Sequence, residues 1–119
     1  MLDKNLIPVD AFQLSHSVEI YVPSTVNVNE SVDSSNYVNV VASGLSQING
    51  GATIKSAEGC WYSDALKTVV RESITIIESS CAALDAGNVA RFFELAKWIK
   101  SEMSQEAVSI KIDGELFLV

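Results

Sequence analysis

Residues 49–79 read N-G-G-A-T-I-K-S-A-E-G-C-W-Y-S-D-A-L-K-T-V-V-R-E-S-I-T-I-I-E-S, and the fold turns on how this run is parsed. Two strand-like segments flank a polar turn. Ala52 to Trp61 forms the first, bent or bulged near Gly59. Ser63 to Lys67 makes the turn, and Thr68 to Ser79 is the more strand-like partner. Side chains in a strand repeat every second residue, so Val70, Ile74 and Ile76 share one face, taken as the inward one. Glu72 falls on that same face. A carboxylate there needs a partner, or a place at the end of the sheet where water reaches it. It is the one local inconsistency in a regular pattern, and such places are often functional or strained.

Upstream, His16 to Val22 is a strand with Val18, Ile20 and Val22 on one face, ended by Pro23. The polar run Ser24 to Asp33 reads as a loop. Asp33 or Ser34 then caps a helix whose inner stripe is Tyr37, Val41, Leu45 and Ile48. Gly44 weakens this helix or allows a close approach to the sheet, and Asn49-Gly50-Gly51 stops it. Downstream, Asp85 or Asn88 caps a second helix that buries Val89, Phe92, Ala96, Ile99 and Met103. Phe93, Leu95 and Trp98 widen its stripe enough to imply a further contact, for instance another subunit. Ala107 to Ile112 is the fourth strand, Asp113-Gly114 a two-residue hairpin turn, and Glu115 to Val119 the last strand. The order predicts an α+β, ferredoxin-like βαββαβ plan with an added C-terminal hairpin strand. Two helices then cover one face of an antiparallel sheet. Residues 1–14 form an N-terminal arm, interrupted by Pro8 yet apolar enough to pack on this subunit or a neighbour. Residues 15–119 form one domain.

A net charge of −7 with eight basic residues argues against nucleic-acid or membrane partners, which meet phosphates through clustered Lys and Arg. Cys60 and Cys81 make no disulfide framework and read as small buried hydrophobes in a reducing compartment. The N-terminus lacks the pattern of a signal peptide, and no stretch is long and apolar enough to span a bilayer, which points to the cytoplasm. Apolar residues outnumber what two helices can cover. The open sheet face then calls for a partner, with a symmetric homodimer as the default.

Five short motifs follow one another in a recognisable order: Y-V-P-S-T at 21–25, G-G-A-T at 50–53, G-C-W at 59–61, V-V-R-E-S at 69–73 and Q-E-A-V-S at 105–109. Together they resemble small uncharacterised proteins of phages, plasmids and other mobile elements, and more distantly a bacterial family of unknown function. The resemblance covers about residues 18–119. It implies Gly51, Thr53, Gly59, Trp61, Glu72, Ser73, Gln105 and Glu106 as positions of interest, and brings no established activity.

His16 is the only histidine and has no ligand-spaced neighbours, so no metal site is expected and it reads as an exposed strand residue. No nucleophile elbow, phosphate loop or dinucleotide fingerprint occurs, and no cofactor is implied. Glu72 reads first as a structural anchor taking hydrogen bonds from Arg71, a lysine or backbone N–H groups. The functional alternative makes it a general base, its pKa raised beside Trp61, with Glu106 as a second carboxylate. Trp61, Tyr62, Glu72 and Gln105 are the candidate ligand-binding residues. The reading that results is a non-enzymatic accessory protein, homo-oligomeric, binding a protein or small ligand and encoded by a phage or mobile element. The alternative is a small ferredoxin-like enzyme with Glu72 as its base.

Overall fold

The computed structural model describes residues 1–26 and 30–119. The chain runs β1 (His16–Pro23), β2 (Thr25–Val26), β3 (Glu30–Ser31), α1 (Ser35–Asn49), β4 (Thr53–Ser63), β5 (Thr68–Cys81), α2 (Ala86–Glu102), β6 (Ser109–Ile112) and β7 (Glu115–Leu118). Five strands form one sheet in the order β4-β5-β1-β6-β7, and every pairing in it is antiparallel. Setting aside the small β2–β3 ribbon, this is the ferredoxin-like plan with a fifth strand added beyond β6. Of the run read as a loop, the described ends pair as β2 and β3, and residues 27–29 lie outside the described residues.

Val18, Ile20 and Val22 alternate inward from β1 and are fully buried. They meet Ile77 of β5, Ile110 and Ile112 of β6, Val41 and Leu45 of α1, and Phe92, Ala96 and Ile99 of α2. Asp85 caps α2 by accepting the Asn88 N–H at 2.8 Å. At α1 the residue in the cap position, Ser34, makes no side-chain bond. Asp33, one residue earlier, accepts the Ser35 N–H at 3.0 Å, and that bond holds its carboxyl below the ordinary carboxylate value. Gly50 ends α1 with φ 98°, and its N–H bonds Ser46 C=O at 2.7 Å. The turn of α1 is tied to β5 where Asn49 Nδ2 donates to Ser79 Oγ and Ser79 Oγ donates to Gly51 C=O.

Several expectations are corrected. The inward face of β5 is the other one. Ile20 lies opposite Ile77, so Ile77, Ser79 and Cys81 face the helices, and Val70, Glu72, Ile74 and Ile76 face away from them. No bulge occurs at Gly59, because β4 and β5 stay in register from Thr53↔Glu78 to Ser63↔Thr68. The wide stripe of α2 is used in part within the chain: Phe93 meets Phe117 of β7 edge-on at 5.8 Å, and Trp98 meets Tyr37 of α1 at 5.8 Å, while Leu95 and Trp98 stay half-buried. Gly44 admits Leu95 of α2, not the sheet. Both cysteines are free, but Cys60 is exposed and only Cys81 is buried, where loss of water pushes its thiol up.

His16 is half-buried and paired, and so differs from the exposed strand residue expected. Its Nδ1 lies 2.7 Å from Asp113 Oδ2, and the Ser17 N–H donates to Asp113 Oδ1 at 3.0 Å. Asp113 and Gly114 both take positive φ, 52° and 82°, which closes the β6–β7 hairpin tightly. The hydrogen bond with His16, then that with the Ser17 backbone, hold the Asp113 carboxyl below its ordinary value. A carboxyl depressed in the folded state stabilises the fold above its unfolded pKa, about 3.9, and that contribution disappears as pH falls through the lower folded value. Asp113→Asn, which still tolerates positive φ, is expected to lower the thermal midpoint at neutral pH and leave it unchanged in strong acid. Identical melting of the two proteins at neutral pH would show that the pair adds nothing.

Candidate functional site

The sheet face turned away from the helices is built from Glu19 and Tyr21 of β1, Lys55 and Trp61 of β4, and Glu72, Ile76 and Glu78 of β5, all placed there by strand alternation and register. Its two ends differ. Toward the start of β4, Lys55 Nζ donates to Glu78 Oε2 at 2.9 Å and to Glu19 Oε1 at 3.4 Å. These half-exposed ions keep that end wet, and surface pairs of this kind contribute no more than about 1 kcal/mol. This end of the face is therefore charged.

Toward the β4–β5 turn the same face holds a cleft of about 250 Å³. Tyr21, Gly59, Trp61, Glu72, Ile74 and Gln105 line it, and Ala107–Ser109 closes one side. Gly59 lies directly across from Glu72, with Trp61 two residues further along β4 on the same face. A Cβ on Gly59 would stand 4.0 Å from Glu72 Cγ and 3.9 Å from Ile74 Cγ2, so the missing side chain leaves open space above the carboxylate. Among the described residues Glu72 makes no side-chain hydrogen bond and no ion pair. Arg71, the partner expected for it, instead reaches Glu58 Oε1 at 3.1 Å on the other face of the hairpin.

The structure thus brings together Trp61, Glu72 and Gln105, and does not bring in two others. Tyr62 pairs with Val69 on the opposite face of the hairpin, because one step along a strand reverses the side chain. Glu106 is exposed and lines no part of the cleft, so no carboxylate pair forms. Gln105 has a divided role. Its Nε2 donates to Thr25 C=O at 2.7 Å and Met103 C=O at 3.1 Å, tying the end of α2 to β2 at the rim of the cleft. Tyr21 and Ile74 were missed as site residues. The signal for Tyr21 was the inward alternation of Val18, Ile20 and Val22, which sends Tyr21 to the face where the cleft lies.

A carboxylate without a partner among the described residues, in a cleft lined also by Trp61 and Tyr21, suits a ligand that is cationic and carries a flat ring. The negative charge meets the cation, and ring faces attract both cations and other rings. Among the described residues no group of three or more His, Cys, Asp and Glu is placed to hold a metal ion. Among the described residues no helix is long and apolar enough to cross a membrane. Gly59→Val is a steric probe of the cleft. Valine favours a strand, so folding should be kept while the space above Glu72 is filled. The expected result is an unchanged melt and loss of ligand binding; unchanged binding would place the ligand elsewhere.

No protein-family model matches the sequence, and no curated protein matches it. The fold is similar to that of a phage SAM lyase in complex with S-methyl-5′-thioadenosine, with a TM-score of 0.69 and 15% identity over 94% of this chain and 95% of that one. It is also similar to phage SAM lyase in the apo state, with a TM-score of 0.66 and 16% identity over 88% of each chain. A Bacillus cereus protein related to NIF3 matches at a TM-score of 0.51 and 11% identity, over 87% of this chain and 25% of that chain. At such identities the likeness concerns the fold.

Proposed function

We infer that the Glu72 cleft binds S-adenosylmethionine and cleaves it at a carbon–sulfur bond, releasing S-methyl-5′-thioadenosine, in a protein of phage or mobile-element origin. The observation that carries this reading is the Glu72 carboxylate, unpaired among the described residues, in a cleft that Trp61 and Tyr21 also line. The ligand has the features the cleft suits: a sulfonium and an ammonium for the carboxylate, and an adenine ring for an aromatic face. A net charge of −7 favours the approach of a cation. The shared fold with a phage SAM lyase supports the choice of ligand.

Cleavage of this kind needs neither water nor a redox partner. As the carbon–sulfur bond breaks, its electron pair leaves on sulfur, and the sulfonium becomes a neutral thioether. Glu72 acts as general base, taking the proton from the neighbouring carbon while the carbon–carbon double bond forms. If the ligand's own carboxylate displaced the sulfur instead, Glu72 would act only as a charge partner, and the identity of the second product separates the two.

The test is incubation of the purified chain with S-adenosylmethionine, following S-methyl-5′-thioadenosine by chromatography alongside calorimetric titration. Release in proportion to enzyme and time is expected. Binding without release would overturn the lyase step and leave a ligand-binding accessory protein. Neither binding nor release would overturn the assignment of the ligand.

A further inference from the structure

Helix α2 ends in a way that fixes one side chain. Met103 stands at the cap, Ser104 takes φ 50°, and the Gln105 N–H reaches back to Lys100 C=O at 3.0 Å. This is the Schellman ending, in which glycine usually holds the left-handed position. A serine there carries backbone strain, and strained residues persist where their surroundings hold them and gather at functional sites. Here the strained residue delivers Gln105 to the Glu72 cleft.

The Gln105 amide has one orientation. Its Nε2 donates to Thr25 C=O at 2.7 Å and to Met103 C=O at 3.1 Å. Carbonyls only accept, so turning the amide over would set its oxygen against both of them. Both Nε2 hydrogens are therefore spent. Among the described residues Oε1 accepts no hydrogen bond, and the buried side-chain acceptor left unpaired there is Asn49 Oδ1, so Gln105 Oε1 is open to solvent. Gln105 thus offers the cleft an acceptor and no donor. Ala107 lines the same cleft, and its N–H has no hydrogen-bond partner among the described residues.

We propose that Gln105 selects the base of the ligand: Oε1 accepts from the 6-amino group of adenine, and a 6-oxo purine is refused. This rests on the reading of the cleft as a site for S-adenosylmethionine. The ligand's cations belong to Glu72, which carries a full negative charge. A neutral amide oxygen is left for a neutral donor. Ribose hydroxyls donate or accept and so do not require an acceptor, whereas the amino group of adenine only donates. The ring nitrogen beside that amino group is an acceptor, which suits the Ala107 N–H. A 6-oxo purine reverses both, setting oxygen toward Oε1 and a ring N–H toward the Ala107 N–H. A site built to bond one polar group rejects an analogue that lacks it, because its own polar atom is left unpaired.

The experiment titrates S-methyl-5′-thioadenosine and its 6-oxo analogue, S-methyl-5′-thioinosine, into the parent chain, Gln105→Met and Gln105→Lys by calorimetry. Methionine removes both the acceptor and the tether. Lysine keeps donors for the Thr25 and Met103 carbonyls and removes the acceptor, and its charge bears on neither ligand, since both are neutral. A thermal melt is recorded for each protein. The parent is expected to bind the amino form at least about tenfold more tightly, and in a folded variant the ratio should fall to about one. A merely structural loss would weaken both ligands alike and leave the ratio where it was. That result, or equal binding of the two by the parent, would overturn the proposal while the cleft kept its ligand. Should the parent bind neither, the ligand assignment and this proposal fall together. If neither variant folds, a crystal of the parent with S-methyl-5′-thioadenosine decides: a 6-amino group beyond hydrogen-bond reach of Gln105 Oε1 overturns the proposal.

Discussion

Replacing Glu72 by Gln is expected to abolish release of S-methyl-5′-thioadenosine, by about a hundredfold or more, and to leave the melt almost unchanged. Both halves follow from where the carboxylate stands. It faces a cleft, has no hydrogen-bonding or ionic partner among the described side chains, and lies off the core that the helices cover. Glutamine keeps its shape and removes its charge, so the change in stability should stay within about 0.5 kcal/mol, as for surface positions without a structural role. Ligand affinity should fall with turnover if Glu72 also balances the positive charge of the ligand. A Glu72→Gln protein that melts far below the parent would make the carboxylate architectural. One that folds and turns over normally would remove Glu72 from the chemistry altogether. The measurement is a progress curve of product release paired with a thermal melt on the same preparation.

The second large effect lies in the core. Phe92 is fully buried on α2 and packs into the cluster made with β1, β6 and α1. Phe92→Ala is expected to cost about 3–5 kcal/mol, from lost apolar contact and the cavity left behind. Domains of this size are held by about 5–15 kcal/mol in all, so the variant should be close to unfolding at physiological temperature. Equilibrium urea unfolding checks it: the midpoint should fall steeply with the slope retained. A loss below about 1 kcal/mol would mean that the helix layer is not packed on the sheet as described.

Much of the architecture was readable from the chain because single residues carried it. Asp113-Gly114 dictates a tight hairpin, Asp85 caps α2, Gly50 stops α1, and the alternation of Val18, Ile20 and Val22 leaves one assignment for β1. The failure at β5 has a physical origin. Ile74-Thr75-Ile76-Ile77 offers an apolar side chain to both faces, and periodicity within one strand cannot choose between them. The choice is made by pairing with β1, where Ile20 lies opposite Ile77, and a shift of one residue reverses every side chain. Once β5 is turned over, Glu72 ceases to be a carboxylate in a core and becomes one on an open face. On that face it lines the cleft.

The site itself was half legible. Trp61 and Glu72 share a face by simple counting along a hairpin without a bulge. Gln105 reaches them only because α2 ends where β2 begins, a contact between segments remote in sequence. Tyr62 and Glu106 were included for their nearness in sequence to true lining residues, and each lies outside the cleft. The arm was expected to pack on one subunit or another. In the structure no residue of the arm is fully buried, and Leu14 at its root shares a hollow with Asn49, Gly50 and Gly51.

The central claim, that the open sheet face at Glu72 is the working site, is tested most directly by a crystal grown with S-methyl-5′-thioadenosine. The expected result is density for the adenine ring against Trp61 or Tyr21, with the thioether sulfur directed toward Glu72. Density on any other surface, with the cleft empty, would contradict it.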